Sequence, residues 1–294
     1  MKHRKIFIGL IVLAALISGC QFTALKDTIS KPPEEAFVPL RLGEIEPEGW
    51  MRAQLERDLV SGYQGYLDVL LRDPKTGEPH LRPENNDFVT RAQNQKFKID
   101  DQGRCVPRTE YTWWPGEMIA DWQDGLIRAA FLTGEPNAKK KAERFVEDIL
   151  KSQDEIGYIG VYPQGCRYHF AISDGELWTQ RCAMLGLLAY YEFTGREDVL
   201  DAVQRAVKLT LQQYGPKQRY FDNPQQESNG VAHGLLFVDV LDWLYRLTGD
   251  DEYRRAAVSL YRDDFCTSKT VRNADIQLKR LLDPKIPLGG HGPD

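Results

Sequence analysis

The sequence predicts an all-α fold: an incomplete (α/α)6 toroid, or barrel, of helical hairpins. Three observations predict it. A helix–Thr-Gly–helix pattern occurs three times, the two helices of each pair differ in apolar content, and short connections alternate with long ones.

The N-terminus stands apart from this pattern. Lys2, His3, Arg4 and Lys5 precede an apolar run from Ile6 to Ile17, which Ser18, Gly19 and Cys20 close. At about 1.5 Å per residue the run is short for a bilayer span. It reads as a signal peptide over residues 1–19, with small residues before a cysteine as in a bacterial lipobox. Cys20 is then the lipidated residue, which makes the protein a lipoprotein of the bacterial cell envelope. Gln21 follows where an aspartate would favour the inner membrane, so the outer membrane is expected. Residues 20–36, with their Pro-Pro pair, read as a tether. The α/α-barrel domain follows over residues 37–294.

A helix is expected from about Trp50 to Leu71, then loop-like sequence to about Trp114. The repeat comes next. Leu132-Thr133-Gly134 precedes Glu135-Pro136-Asn137, Phe193-Thr194-Gly195 precedes Arg196-Glu197-Asp198, and Leu247-Thr248-Gly249 precedes Asp250-Asp251-Glu252. Glycine past a helix end takes the left-handed conformation, and Asn or Asp after it can cap the next helix. The spacing is roughly 55–60 residues. The second helix of each pair is amphipathic: Ala138, Ala142, Phe145, Val146, Ile149 and Leu150 share one face, as do Val199, Ala202, Val203, Ala206 and Val207, and then Tyr253, Ala256, Ala257, Leu260 and Tyr261. The first helix is apolar almost all round, as in 182–189 and 235–241, which implies burial on every side. Alternation of fully and half-buried helices suggests an inner and an outer ring; an open solenoid would bury the two more equally. Only about seven or eight helices are legible, fewer than a closed six-hairpin ring needs, so the chain is expected to be the front of a longer product.

The connections Ser152–Gly175 and Tyr214–Gly230 are long and rich in Tyr, His, Gly and Asn, and long loops on one face of a scaffold are where function sits. Polar groups near the starts of the first helices point to the same end: Asp124, Glu176 with Trp178, and His233. Tyr158 and Tyr162 lie in the first long loop. Carboxylates that take hydroxyl hydrogen bonds, with aromatic faces for C–H surfaces, suit a sugar. A second reading stays open for each. Asp124 and Glu176 can cap helices or pair with Arg128 or Arg181, and His233 can be a hydrogen-bonded core residue.

Net charge is −5 without a basic stripe, which argues against nucleic acid as a partner. Cys105, Cys166, Cys182 and Cys266 are scattered, with no CxxC pair. A Cys105–Cys166 disulfide and free buried thiols both stay open. No metal site is predicted within the chain, and no GxSxG, HExxH or P-loop is present.

Residues about 38–294 resemble the β-L-arabinofuranosidase family of glycoside hydrolases, family 127 and its relatives. The resemblance is carried by Pro39-Leu-Arg-Leu-Gly, Gly49-Trp-Met-Arg-Ala-Gln-Leu-Glu-Arg-Asp, Trp122-Gln-Asp-Gly-Leu, Ser152-Gln-Asp-Glu-Ile-Gly-Tyr-Ile-Gly, Glu176-Leu-Trp, Ala189-Tyr-Tyr-Glu-Phe-Thr-Gly and His233-Gly-Leu-Leu-Phe-Val. It implies an α/α barrel acting on a plant-type carbohydrate. His233 matches a family histidine that contacts the sugar, Glu176 a glutamate in a site motif, and Tyr158 and Tyr162 a loop that approaches the sugar. Gly175 and Cys182 stand where the family often has histidines. The resemblance places the general acid, the cysteine nucleophile and the ligands of an expected zinc after the segment matching Leu288–Asp294, so no catalytic residue is assigned within the chain. Two other functions compete: a non-catalytic glycan-binding envelope lipoprotein, and another α/α-barrel enzyme such as an unsaturated-uronyl hydrolase or polysaccharide lyase.

Overall fold

The computed structural model describes residues 39–66, 86–90, 97–103, 105–107, 116–168, 175–215, 220–222 and 233–269. The expected signal peptide, Cys20 and the whole of the expected tether lie outside these, as do His169 and residues 270–294. By chain contacts residues 42–294 form one compact unit. Its described residues are all-α apart from one two-stranded antiparallel hairpin, β1 (Phe97–Ile99) with β2 (Cys105–Pro107).

Helix α1 (Gly49–Arg57) passes at Asp58 into wider π-type turns that run to Tyr66, where an uninterrupted helix was expected. The Ser61 hydroxyl takes the Arg57 carbonyl at 2.5 Å, which competes with the helical ladder at the transition. Arg52 reaches across to the Thr133 carbonyl at 2.8 Å, a cation on the C-terminal end of the helix Glu117–Thr133.

The three hairpins are α2 (Glu117–Thr133) with α3 (Pro136–Ser152), α4 (Glu176–Thr194) with α5 (Glu197–Tyr214), and α6 (Val238–Thr248) with α7 (Asp251–Val258). Each turn is built the same way. Gly134, Gly195 and Gly249 have φ of +77°, +68° and +70°, and their N–H groups return to the carbonyls of Ala130, Tyr191 and Tyr245. Each preceding threonine hydroxyl donates to the carbonyl four residues back at 2.7 Å and accepts from the N–H two residues on. This double use of one hydroxyl is the physical content of the Thr-Gly repeat. The caps that follow are less uniform than Asn or Asp would make them. Glu135 caps α3 and Asp250 caps α7, but Arg196 makes no side-chain cap at α5 and instead binds Asp198 and Glu147.

The second helices bury most of the faces that their periodicity predicts, but Leu150, Ala257 and Tyr261 are only half-buried, and Leu260 and Tyr261 fall in π-type turns after Val258. Ala138, Ala142, Phe145, Val146 and Ile149 lie inside on α3, and Val199, Ala202, Val203, Ala206 and Val207 on α5. Each packs on its own first helix, while α2, α4 and α6 pack on one another in chain order. Helix α4 is buried nearly all round. Helix α6 is not. It buries Val240, Leu241 and Leu244, because Asp239, Asp242 and Arg246 give it a polar face that the apolar run 235–241 conceals. The start of that run is a 3-10 turn, Gly234–Phe237, with Leu236 38% exposed.

Cys182 and Cys266 are free and buried, whereas Cys166 is disulfide-bonded. The Cys105 side chain lies outside the described residues. No helix among the described residues is long and apolar enough to cross a membrane.

Candidate functional site

Glu176 opens helix α4 and is fully buried. An isolated carboxylate there would be costly, and three donors surround it. The Tyr158 hydroxyl donates to one oxygen at 2.8 Å; the Tyr168 backbone N–H at 2.7 Å and the Tyr214 hydroxyl at 3.0 Å donate to the other. Burial pushes the Glu176 carboxyl up to about 7, although these donors and nearby Arg167 oppose the rise. The same burial, with Glu176 beside it, pushes the Tyr158 hydroxyl well up.

The long loop is shaped around this carboxyl. Tyr168 holds φ at +53°, a left-handed backbone unusual for an aromatic residue, and its N–H is the one aimed at Glu176. The Arg167 guanidinium lies 4.0 Å from the Tyr158 ring centroid, pairs with Asp154 and donates to the Tyr162 carbonyl. Gly160 is required by closeness: a Cβ there would stand 2.5 Å from the Tyr158 hydroxyl oxygen. Tyr158 and Tyr162 are both buried.

On the other side of the α4 start, Trp178 meets His233 edge-on with ring centroids 5.4 Å apart. His233 is exposed, so it is not a core histidine. The Trp178 indole nitrogen is buried without a hydrogen-bond partner among the described residues. Arg181 lies 5.1 Å from the Trp178 ring and donates to Asp239 at 2.7 Å. Burial, and then Asp121, push the neighbouring Cys182 thiol far up, so it stays protonated.

The predicted residues therefore fall into three places. Tyr158, Tyr162 and Glu176 share the buried cluster. Half-buried Trp178 and exposed His233 form a pair. Asp124 is held by Arg128 on its own helix, with both carboxylate oxygens 2.9 Å from Nε, where α4 passes close at Gly186. Sequence reasoning missed Tyr214 and the role of Tyr168. Tyr214 was findable, since it continues the buried stripe of Val203, Val207 and Thr210 on α5. The left-handed Tyr168 had no sequence signal.

No group of three or more His, Cys, Asp or Glu side chains among the described residues could hold a metal ion. A family model for the β-L-arabinofuranosidase, GH127 catalytic domain matches residues 74–281. No curated protein matches the chain.

Proposed function

We infer the function from one premise: this chain belongs to glycoside hydrolase family 127, the family of the β-L-arabinofuranosidase catalytic domain. Its substrate is a carbohydrate. The finer reading is release of terminal β-L-arabinofuranosyl units from plant-type glycans. The observation that carries the reading at the residue scale is the Trp178–His233 pair. An indole ring offers an apolar face to sugar C–H groups, and an exposed imidazole beside it can hydrogen-bond a hydroxyl. Arg181, tied to Asp239, lies over the indole with its guanidinium carbon 5.1 Å from the ring centroid.

Cleavage by a glycoside hydrolase needs an acid and a second group on either side of the bond. Glu176 is enclosed by three donors and Cys182 is kept as a thiol, so neither is assigned such a role. Exposed His233 beside Trp178 equally suits a second reading, sugar binding without turnover. One experiment separates the two. The protein, purified as its gene encodes it, is assayed for aryl β-L-arabinofuranoside hydrolysis and, by calorimetry, for binding of methyl β-L-arabinofuranoside. Turnover that falls at least tenfold in kcat/KM in Trp178→Ala supports the hydrolase. Binding without turnover supports the second reading, and neither signal sinks both.

A further inference from the structure

Glu176 matches a site motif, yet its carboxyl faces inward, onto tyrosines. A path of contacts leads from it back to the Trp178–His233 pair. Tyr214 donates to Glu176 at 3.0 Å, and its ring packs on Tyr220 with centroids 4.7 Å apart. The Tyr220 ring lies against Gly234 so closely that a Cβ on that glycine would stand 2.8 Å from a ring carbon and 3.3 Å from the Leu177 Cβ. Gly234 follows His233, which meets Trp178, and Trp178 is two residues beyond Glu176 in the same turn of α4. The contacts close into a ring that begins and ends on one helical turn.

We propose that Glu176 is a positioning residue: through Tyr214, Tyr220 and Gly234 it fixes where His233 stands against Trp178, and it does not touch the sugar. The proposal rests on the Trp178–His233 pair being the sugar-binding wall. The geometry supports it in two ways. The carboxyl has three donors already engaged, one of them delivered by a left-handed backbone that the loop holds despite its cost. Gly234 leaves no slack, so a displaced Tyr220 must move the residue next to His233.

The carboxyl faces Tyr158, Tyr168 and Arg167 from the long loop and Tyr214 from α5. Its charge governs how strongly these donors are held, because hydrogen bonds to a carboxylate are stronger than those to a neutral acid. The positioning effect is therefore greatest above neutral pH.

The test uses the full protein and its Glu176→Gln and Tyr214→Phe variants. Tyr214→Phe keeps the ring and deletes one bond to the carboxyl, so it carries the test if Glu176→Gln fails to fold. The ring-proton NMR shifts of His233, assigned with His233→Gln, report its place over the indole without any substrate. Both variants should move these shifts, and should raise KM for an aryl β-L-arabinofuranoside about tenfold while kcat changes less than about twofold. The wild-type shifts should also drift between pH 6 and 8, and that drift should be smaller in Glu176→Gln. Unchanged His233 shifts in a folded Glu176→Gln protein would overturn the proposal. So would a collapse of kcat at constant KM, which would make Glu176 a catalytic residue. If the wild type neither binds nor cleaves arabinofuranosides, the functional reading falls alone, and the shifts still decide whether Glu176 positions His233.

Discussion

At the scale of single residues, Glu176 has a consequence for stability that can be signed. Its ordinary value is 4.5 and in the fold it stands at about 7. Between these values the native protein keeps a proton that the unfolded chain has released. The contribution is fully present below the lower value, is lost as pH rises through the interval, and is flat above it. At about 1.4 kcal/mol per unit the whole loss is on the order of 3 kcal/mol. Melting curves from about pH 4 to pH 8 should show this decline in the wild type and a flattened one in Glu176→Gln; an unchanged slope would assign it to other groups. The sequence made Glu176 a candidate but left its surroundings open. Burial of a carboxylate depends on which tyrosines fold back onto it, and Tyr158 and Tyr168 do so through a glycine and a left-handed backbone that no periodicity encodes. Asp124 is simpler, because its partner Arg128 stands four residues on along the same helix.

Among elements, two helix-end glycines separate two kinds of constraint. Gly195 has φ of +68° and open space where a Cβ would stand, so Gly195→Ala should cost only the conformational preference, about 1 kcal/mol. Gly116, which opens α2, has φ of +83° and would also drive a Cβ to 2.6 Å from Val161 and 2.8 Å from Thr179. Gly116→Ala should therefore cost appreciably more, on the order of 3 kcal/mol, because overpacking adds to strain. Urea melts of the two variants check the order; equal losses would mean that the core around Val161 yields. Hairpin boundaries were legible because Thr-Gly acts within a few residues. The π-type turns after α1 and the polar face of α6 were not, since each depends on side chains a short apolar window overlooks.

For the molecule as a whole, the family and the all-α class were legible from the repeat and from motif order together. The ring-shaped closure and the envelope address were read from the same sequence as proposals. The proposed lipid anchor at Cys20 gives a direct prediction. Wild-type protein expressed in a bacterial host should partition with membranes and carry a diacylglycerol mass on its N-terminal cysteine, and Cys20→Ser should appear in the soluble fraction. Equal partitioning of the two would remove the anchor. The three Thr-Gly turns, finally, bear on the order of folding. Each closes on carbonyls within its own preceding helical turn, and open space surrounds each glycine. The hydrogen bonds that close these turns are local, so hairpins can form early, on the timescale of local contacts. The α4–α5 hairpin itself carries Tyr214 to Glu176, so the contacts left for a later step are those that Tyr158 and Tyr168 bring from the long loop.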